Sequence, residues 1–136
     1  MSEWLFEGKP FEGPGDIKNV YGMVYRITDV ETGKFYIGAK FFWKPSYKMV
    51  NKKRKKIMVE SDWRTYWSSS EKLQADVKKF GESRFKREVV ELVKYKGMVK
   101  YLETKYIILN ECLELPDDKC YNGIIGCRIN KKCVRR

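Results

Sequence analysis

Three apolar stretches alternate with turn-forming residues and predict the strands of a small sheet. Residues 20–28 are rich in valine, tyrosine and isoleucine, residues 29–34 contain the turn signal Glu-Thr-Gly-Lys, and residues 35–39 are apolar again. The first and last of these runs predict a β-hairpin. Residues 85–93 form a third run, interrupted by charged residues, and we expect this strand to pair with the hairpin.

Two stretches with apolar residues at helical spacing predict the helices. The first begins after Ser70, a residue type that caps helices, and stops at Gly81, a residue type favoured just after a helix. The second covers residues 96–114, ends before Pro116 and is the longer of the two. A small sheet flanked by helices places the chain in the α+β class.

The remaining segments are predicted to surround or interrupt one domain that covers residues 20–136. Residues 1–19 mix glycines and prolines with aromatic residues, which indicates an N-terminal arm or a short hairpin laid on the domain. In residues 40–62, three consecutive aromatic residues precede a proline and a run of five cations, so this segment is predicted to be a basic loop or insertion after the second strand.

The charge of the chain points to a polyanionic partner. Its 136 residues include 29 lysines and arginines against 18 acidic residues and no histidine, which gives a net charge of +11. A charge of this size concerns partners rather than the fold. The N-terminus has neither a secretory apolar core nor a long apolar span, so we expect a soluble intracellular protein.

The four cysteines lie in the last quarter of the chain at wide spacings. Zinc modules usually contain close Cys-x2-Cys pairs, and no histidine is available here as an additional ligand. We therefore expect reduced thiols, some of them buried, at Cys112, Cys120, Cys127 and Cys133.

The predicted hairpin carries two short motifs that together resemble the paired motif of the GIY-YIG nucleases. Met23-Val24-Tyr25 lies on the first strand and Tyr36-Ile37-Gly38 on the second, with ten residues between them. One position departs from the family pattern, because the first motif of the family begins with glycine where this chain has Met23, with Gly22 one position earlier.

Further stretches extend the resemblance from about residue 20 to residue 122. A Ser-Ser-x-x-Leu helix start at residues 69–73 and a Lys-x-Gly-x-x-x-Phe passage at residues 79–85 are similar to those of phage-type, free-standing homing endonucleases. Residues 101–107 resemble the helix that carries the metal-binding glutamate of the family, and Tyr121-Asn122-Gly123 resembles the segment with its asparagine.

The resemblance implies a three-stranded antiparallel sheet and the hydrolysis of phosphodiester bonds in double-stranded DNA. It makes Glu103 the sole protein ligand of Mg²⁺ or Mn²⁺, with water filling most of the shell. Tyr25 and Tyr36 would orient or deprotonate the attacking water, and a phenol needs neighbouring cations to act as a base at neutral pH. Antiparallel neighbours stand about 5 Å apart, so both phenols can reach one phosphate.

The remaining members of the implied site are basic or polar. Lys40 follows the second motif where some phage relatives carry a basic or histidine side chain, and Asn122 matches the asparagine of the family. The family arginine has two candidates: Arg64, within an aromatic stretch, comes first, and Arg54, within the basic run, comes second. The histidines of other members are absent, which leaves the general base open.

The basic run is predicted to contact DNA phosphates, because five adjacent cations create a field that solubility does not require. Its members are Lys52, Lys53, Arg54, Lys55 and Lys56. The resemblance further implies a monomer or homodimer that acts in the cytoplasm of an infected bacterial host, away from membranes.

Each of these residues also has an ordinary structural interpretation. Tyr25 and Tyr36 could be packing partners across the hairpin, Glu103 could pair with a lysine such as Lys100, and Arg64 could stack on a tryptophan. Two other functions stay open on the same sequence. One is a catalytically inactive DNA-binding or regulatory phage protein, and the other is a phage inhibitor of a host enzyme.

Overall fold

The computed structural model describes residues 3–13, 19–129 and 131–134. Its main sheet has five strands in the order β2-β1-β7-β3-β4, and the separate pair β5-β6 forms a second, two-stranded sheet. The strands are β1 (Trp4–Phe6), β2 (Lys9–Pro10), β3 (Gly22–Asp29), β4 (Phe35–Phe41), β5 (Trp43–Val50), β6 (Lys53–Glu60) and β7 (Phe85–Val93). The helices are α1 (Glu71–Phe80) and α2 (Lys96–Leu109).

The α+β class is confirmed, but the expected three-stranded sheet is wrong in its size. The three predicted strands form the antiparallel part β7-β3-β4. Two more strands come from the N-terminal segment, where Glu7 and Gly8 adopt positive φ angles of 53° and 81° and turn β1 back onto β2. Because β1 pairs in parallel with β7, the segment extends the sheet.

The segment expected as a basic loop or insertion is a regular antiparallel hairpin, which we call the ribbon (residues 43–60). Its strands pair in register from Trp43 opposite Glu60 to Val50 opposite Lys53. The tight turn at Asn51 and Lys52 has two positive φ angles, of 49° and 63°, a geometry that favours the twist of two-residue hairpins. Because lysines occupy both faces of these two strands, the alternation of apolar and polar residues that is typical of a strand is not visible in the sequence.

Both helices were predicted from the sequence, and the capping residues of α1 were identified correctly. The side chain of Ser70 accepts a hydrogen bond from the Leu73 amide at 3.3 Å, and Gly81 ends the helix with a positive φ of 91°. The second helix ends at Leu109, five residues earlier than predicted, and a turn with Glu111 at positive φ follows it. Within the described ranges, neither helix combines the length and the apolar character of a membrane span.

The helices cover opposite faces of the sheet. Leu73 and Val77 of α1 pack with Tyr25 on one face, whereas Val99 and Leu102 of α2 belong to the cluster on the other. Apart from these, the second cluster contains Val24, Phe35, Ile37, Val93, Met98, Ile107, Cys112 and Cys120. Residues of alternating direction along β3 and β4 therefore separate a tyrosine face from an aliphatic face.

A buried ion pair closes the turn between β3 and β4. The carboxylate of Asp29 is 3% exposed and accepts two hydrogen bonds from Arg84, each at 2.8 Å. It also accepts the amide of Glu31 at 3.0 Å. The hydrogen bond from Arg84, opposed by burial, lowers the pKa of Asp29 to about 2. This turn holds the register of the hairpin that carries both tyrosine motifs.

Two of the cysteines are buried thiols beside β4, in agreement with the expectation from the sequence. Cys112 and Cys120 are 1% and 3% exposed, and both are free, as is Cys127. A hydrogen bond between the two buried thiols raises the pKa of Cys112 and lowers that of Cys120. The side chain of Cys133 lies outside the described part of the structure.

Candidate functional site

The strand register brings the two tyrosines of the paired motif together on one face. Tyr25 lies opposite Gly38, and Ile27 lies opposite Tyr36, so the phenols are diagonal neighbours rather than direct partners. Their ring centroids are 6.2 Å apart. This diagonal distance is within reach of two aromatic side chains across antiparallel strands.

The glycine of the second motif makes the space that the phenols occupy. A Cβ atom at Gly38 would stand 2.5 Å from the Tyr25 hydroxyl oxygen, 2.7 Å from its Cζ and 2.8 Å from Cε2 of Tyr36. Both rings therefore lie directly over the backbone of Gly38. The glycine of the motif therefore has a steric cause, because any side chain at position 38 would occupy the space that the two phenol rings fill above β4.

Gly22 has a comparable role one residue before the first motif. A Cβ there would come 2.8 Å from the carbonyl oxygen of Lys40 and 3.3 Å from the side chain of Val99. The family glycine is replaced by Met23, which is completely buried on the tyrosine face. Gly22, the residue before Met23, thus permits the close approach of β3 to β4 and α2.

Tyr25 is enclosed by aromatic rings. Its side chain is 1% exposed, and it packs edge-on against Trp4 at 5.3 Å and Tyr66 at 6.0 Å between centroids. Burial raises the pKa of Tyr25 well above its ordinary value, and the neighbouring phenols and Glu103 raise it further. The phenol is therefore neutral at physiological pH.

Tyr36 is partly exposed and sits at the rim of the same pocket. Its hydroxyl oxygen lies 3.5 Å from Oγ of Ser69, and either hydroxyl can donate. Burial raises the pKa of Tyr36, the contact with Ser69 opposes this, and the charge of Glu103 adds to it. The hydroxyl group of Tyr36 is therefore placed at the opening of the tyrosine face, within reach of Ser69.

Glu103 lies beside the edge strand β4, although α2 covers the aliphatic face. The strand β4 is the outermost strand on its side of the sheet, and Glu103 lines a cavity of about 390 Å³ that also contains Lys40 and Asp62 beside the end of β4. Its charge acts on the pKa values of both Tyr25 and Tyr36. The carboxylate is thus close enough to the tyrosine face for its charge to act there, and its direct partner is Lys100.

Two lysines hold the two carboxylates of this cavity. Lys100 Nζ lies 3.0 Å from Glu103 Oε1, and Lys40 Nζ lies 2.7 Å from Asp62 Oδ1. In the first pair the carboxylate is the sheltered partner, with Glu103 16% and Lys100 52% exposed, whereas in the second it is the lysine, with Lys40 21% and Asp62 69% exposed. Lys40 Nζ also lies 4.1 Å from the centroid of the Tyr66 ring. Lys40 is thus in contact with Tyr66, whose ring packs against Tyr25.

The donors of the cavity suit a hard divalent cation. Among the described residues no group of three or more histidine, cysteine or acidic side chains is placed to hold a metal ion. Mg²⁺ and Mn²⁺ do not need such a cage, because Mg²⁺ keeps several waters and binds through one or two carboxylates together with substrate phosphate. Glu103, and Asp62 on the other wall, offer that kind of donor.

Asn122 acts on the site through the backbone of β4. Its Nδ2 donates to the carbonyl of Ile37 at 2.8 Å, and its Oδ1 accepts from the amide of Ile37 at 2.9 Å. Cys120 Sγ also donates to Oδ1 at 3.3 Å. The side-chain amide of Asn122 thus makes the two hydrogen bonds that a neighbouring strand would make to Ile37. It thereby fixes the backbone between Tyr36 and Gly38. We therefore assign Asn122 a positioning role in place of the catalytic role taken from the resemblance.

Neither arginine candidate joins the phenols. Arg64 Nε donates to Glu60 at 3.0 Å, its NH1 donates to the carbonyl of Glu12 at 2.8 Å, and its guanidinium stacks on Trp63 at 4.5 Å. This is the structural interpretation that the sequence left open, tying the N-terminal segment to the base of the ribbon. Arg54 lies on the ribbon, 4.0 Å from the centroid of the Tyr47 ring.

Sequence reasoning missed several residues that shape the site. Tyr66 and Ser69 were seen only as parts of longer stretches, Asp62 was taken as the end of an insertion, and Lys100 was considered only as a partner of Glu103. Arg87 was read as a charged interruption of a strand. It is 5% exposed, donates to the carbonyl of Tyr66 at 2.9 Å, and stacks between Trp4 and Trp67.

The signals for these residues were weak for a physical reason. Arg87 is one of several charged residues in β7, and the sequence does not indicate which of them is buried. Its burial lowers its pKa to about 10. Lys100 stands three residues before Glu103, and the pairing that this spacing suggested is present at 3.0 Å. The others come together only when the sheet forms.

Comparison with known proteins gives one match. The family model described as "Putative endonuclease segE, GIY-YIG domain" matches residues 4–125. No curated protein and no solved structure matches at the threshold applied. The matched range begins at β1 and ends after Asn122, so it contains every strand of both sheets and both helices.

Proposed function

The chain belongs to the SegE GIY-YIG family, and from this premise we propose that it is a metal-dependent endonuclease that cleaves double-stranded DNA. The homing type and the DNA-degrading type of phage nuclease both fit the proposal. The observation that supports it best is the neighbourhood of Tyr25 and Tyr36 on one face of the sheet, close enough to Glu103 for its charge to act on both, with Glu103 lining a cavity of about 390 Å³. Packing alone does not require a carboxylate near one buried and one partly exposed phenol.

In the proposed reaction the phenols work as hydrogen-bond donors. With raised pKa values, both hydroxyl groups stay protonated at neutral pH. The partly exposed Tyr36 can donate to a phosphate oxygen or orient a water molecule, whereas Tyr25, which is 1% exposed, would do so only when the substrate displaces the rings that enclose it. Gly38 and Asn122 keep the phenol rings in place, so little reorganisation of Tyr36 is needed when the substrate arrives.

Positive charge for the developing phosphorane comes from lysines in this proposal. Lys40 and Lys100 border the same cavity. A substrate phosphate in this cavity would replace the carboxylate partner of each lysine and accept its hydrogen bond. Lys40 therefore takes the position that the family gives to other basic side chains. A divalent cation held by Glu103 would supply Lewis-acid stabilisation of the phosphate oxygens.

A plasmid assay tests the proposed function directly. Supercoiled plasmid incubated with the protein and Mg²⁺ is expected to give nicked circles or linear product, and incubation with excess chelator is expected to give none. Mn²⁺ should support the reaction as well, since it accepts the same oxygen donors. A salt-sensitive gel shift without any cutting would instead favour the catalytically inactive binding protein.

Removing the hydroxyl of Tyr36 is expected to lower the cleavage rate by on the order of 100-fold, because one donor to a developing charge is lost. Because its pKa is raised, the Tyr36 phenol is neutral from about pH 6 to about pH 9. The cleavage rate of the variant should therefore be lower by a similar factor at every pH in this range. Single-turnover rates of Tyr36→Phe and the parent protein across this range provide the measurement.

The same profile distinguishes a donor from a base. If Tyr36 deprotonated the attacking water, Tyr36→Phe would remove an inflection from the rate profile as well as lowering it. Tyr95→Phe is a matched control, because Tyr95 is 51% exposed before α2. A parental rate for Tyr36→Phe would make the phenol a packing residue.

A further inference from the structure

The ribbon projects from the body of the protein with most of its surface in solvent. From Pro45 to Met58, only Ser46 and Ile57 are partly buried, and the others are exposed. Tyr47, Met49 and Met58 are 51%, 67% and 44% exposed. A two-stranded hairpin with so much exposed apolar surface is marginal by itself, so its sequence is better explained by a partner than by stability.

The charge of the ribbon identifies the kind of partner. Between Trp43 and Glu60 the sequence has no acidic residue and seven cations, namely Lys44, Lys48, Lys52, Lys53, Arg54, Lys55 and Lys56. The register places Lys48 directly opposite Lys55. Like charges directly opposite each other destabilise a sheet, and a polyanion bound along the hairpin would remove this repulsion.

The register also separates the ribbon into two chemically different faces. Pro45, Tyr47 and Met49 share one face with their partners Met58, Lys56 and Arg54; we call it the Tyr47 face. The other, the lysine face, contains Lys44, Lys48, Lys53 and Lys55. The lysine face has four ammonium groups together with Ser46, Val50, Ile57 and Val59, whereas the Tyr47 face has one ammonium group and carries the aromatic rings and the guanidinium of the ribbon.

The ribbon is anchored next to the candidate catalytic cavity. Phe42 is completely buried, its carbonyl accepts the Ser61 amide at 2.7 Å, and Trp43 Nε1 donates to the Val20 carbonyl at 3.2 Å. Trp43 and Lys44 line the cavity that contains Glu103. A duplex cut at this cavity would therefore lie close to the base of the ribbon.

From these observations we propose that the ribbon lies in the major groove of the DNA duplex beside the cut, with the Tyr47 face toward the base edges. The inference rests on the proposed function. A major groove about 12 Å wide and 8.5 Å deep accepts a two-stranded ribbon without deformation of the duplex, whereas the minor groove, at about 6 Å, would first have to be widened. The lysine face then stands near the groove rims, where long ammonium side chains reach phosphates on either side.

Arg54 is the base-reading side chain in this arrangement. Its guanidinium stacks on the Tyr47 ring at 4.0 Å, which orients its planar fork before DNA binds. A bidentate arginine commonly reads the O6 and N7 atoms of guanine. Eight-residue strands span about 26 Å, so the preferred guanine should fall on one side of the cut, within about eight base pairs.

The experiment measures binding and cleavage separately with the full chain. Duplexes selected from a random library by binding in chelator give the base preference of the parent protein, of Arg54→Ala and of Lys55→Ala. We expect Arg54→Ala to lose the preference for one guanine by about 10- to 100-fold. We expect Lys55→Ala to bind all sequences more weakly, with a salt slope lower by about one.

A modified base identifies the groove. Replacing the selected guanine by 7-deazaguanine removes a major-groove acceptor, so it should weaken binding of the parent protein and leave Arg54→Ala unaffected. Lys119→Ala, at an exposed turn by the opposite end of β4, is the charge-matched control and should bind more tightly than Lys55→Ala.

The opposite outcomes overturn the inference. An unchanged guanine preference in Arg54→Ala, no preference in the parent protein, or displacement by a minor-groove ligand without an effect of 7-deazaguanine would each refute major-groove reading. Ribbon variants that bind as the parent does would assign the ribbon to another partner. Sequence-selective binding without plasmid cutting would refute the proposed nuclease activity but support DNA reading by the ribbon. Plasmid cutting by the parent protein, together with ribbon variants whose DNA binding is unchanged, would support the nuclease activity and refute DNA reading by the ribbon.

Discussion

Replacing Glu103 with glutamine is expected to abolish DNA cleavage while leaving DNA binding intact. The substitution keeps the size of the side chain and removes the charge that would hold the cation. Loss of an outer-shell partner typically costs 10- to 100-fold in metal affinity or activity, and loss of the sole protein ligand should cost more, on the order of 10³-fold in rate. The measurement is the single-turnover cleavage rate as a function of Mg²⁺ concentration.

Binding provides the second readout for this variant. Glu103 is paired with Lys100, so its neutralisation leaves that lysine free and raises the positive charge of the cavity. DNA affinity measured in chelator should therefore be equal to that of the parent or higher. Glu114→Gln, at an exposed position after α2, is the matched control and should cleave normally. Mg²⁺-dependent cleavage at the parental rate in Glu103→Gln would eliminate the proposed metal site.

Replacing Gly38 with alanine is expected to reduce both activity and stability. The new Cβ would overlap the hydroxyl of Tyr25, 2.5 Å away, and that ring is enclosed and cannot move freely. Overpacking of this kind typically costs about 1–3 kcal/mol. A displacement of about 1 Å in a catalytic group can cost on the order of 100-fold in rate. Urea unfolding and the plasmid assay give the two quantities.

A double variant separates the steric cause from a general loss of folding. Tyr25→Phe removes the oxygen that makes the shortest contact, so Tyr25→Phe with Gly38→Ala should recover part of the lost stability without recovering activity. Gly126→Ala is the control, because a Cβ there meets no atom within 4 Å. If Gly38→Ala unfolded and cleaved like the parent protein, the glycine would not be responsible for the placement of the phenols.

The parts of the fold that local signals determine could be predicted from the sequence. Ser70 and Gly81 mark the two ends of α1, and the strand Phe85–Val93 has the predicted bounds. The short N-terminal hairpin was one of two expectations for residues 1–19, but its parallel pairing with β7 could not be predicted, because that contact joins segments far apart in the sequence. The ribbon escaped recognition because its alternation is masked by cations on both faces.

The same division applies to the candidate site. The tyrosines and Glu103 were identified because the resemblance includes their motifs, and the structure brings them to one sheet edge. Arg64 could not be placed, since its contacts with Glu60 and Glu12 depend on how the N-terminal segment packs. Asn122 was assigned to the chemistry because its pairing with Ile37 spans a long stretch of sequence.

The parallel pairing of β1 with β7 has a consequence for how the protein comes into being during translation. The first strand leaves the ribosome early, but its partner, which includes Arg87, emerges only after most of the domain has been made. At roughly 5–20 residues per second, the nascent chain waits several seconds before Trp4 can close over Tyr25. A chain that ends before β7 therefore lacks the pairing that holds Trp4 against Tyr25, and the tyrosine face stays open on that side until β7 has emerged.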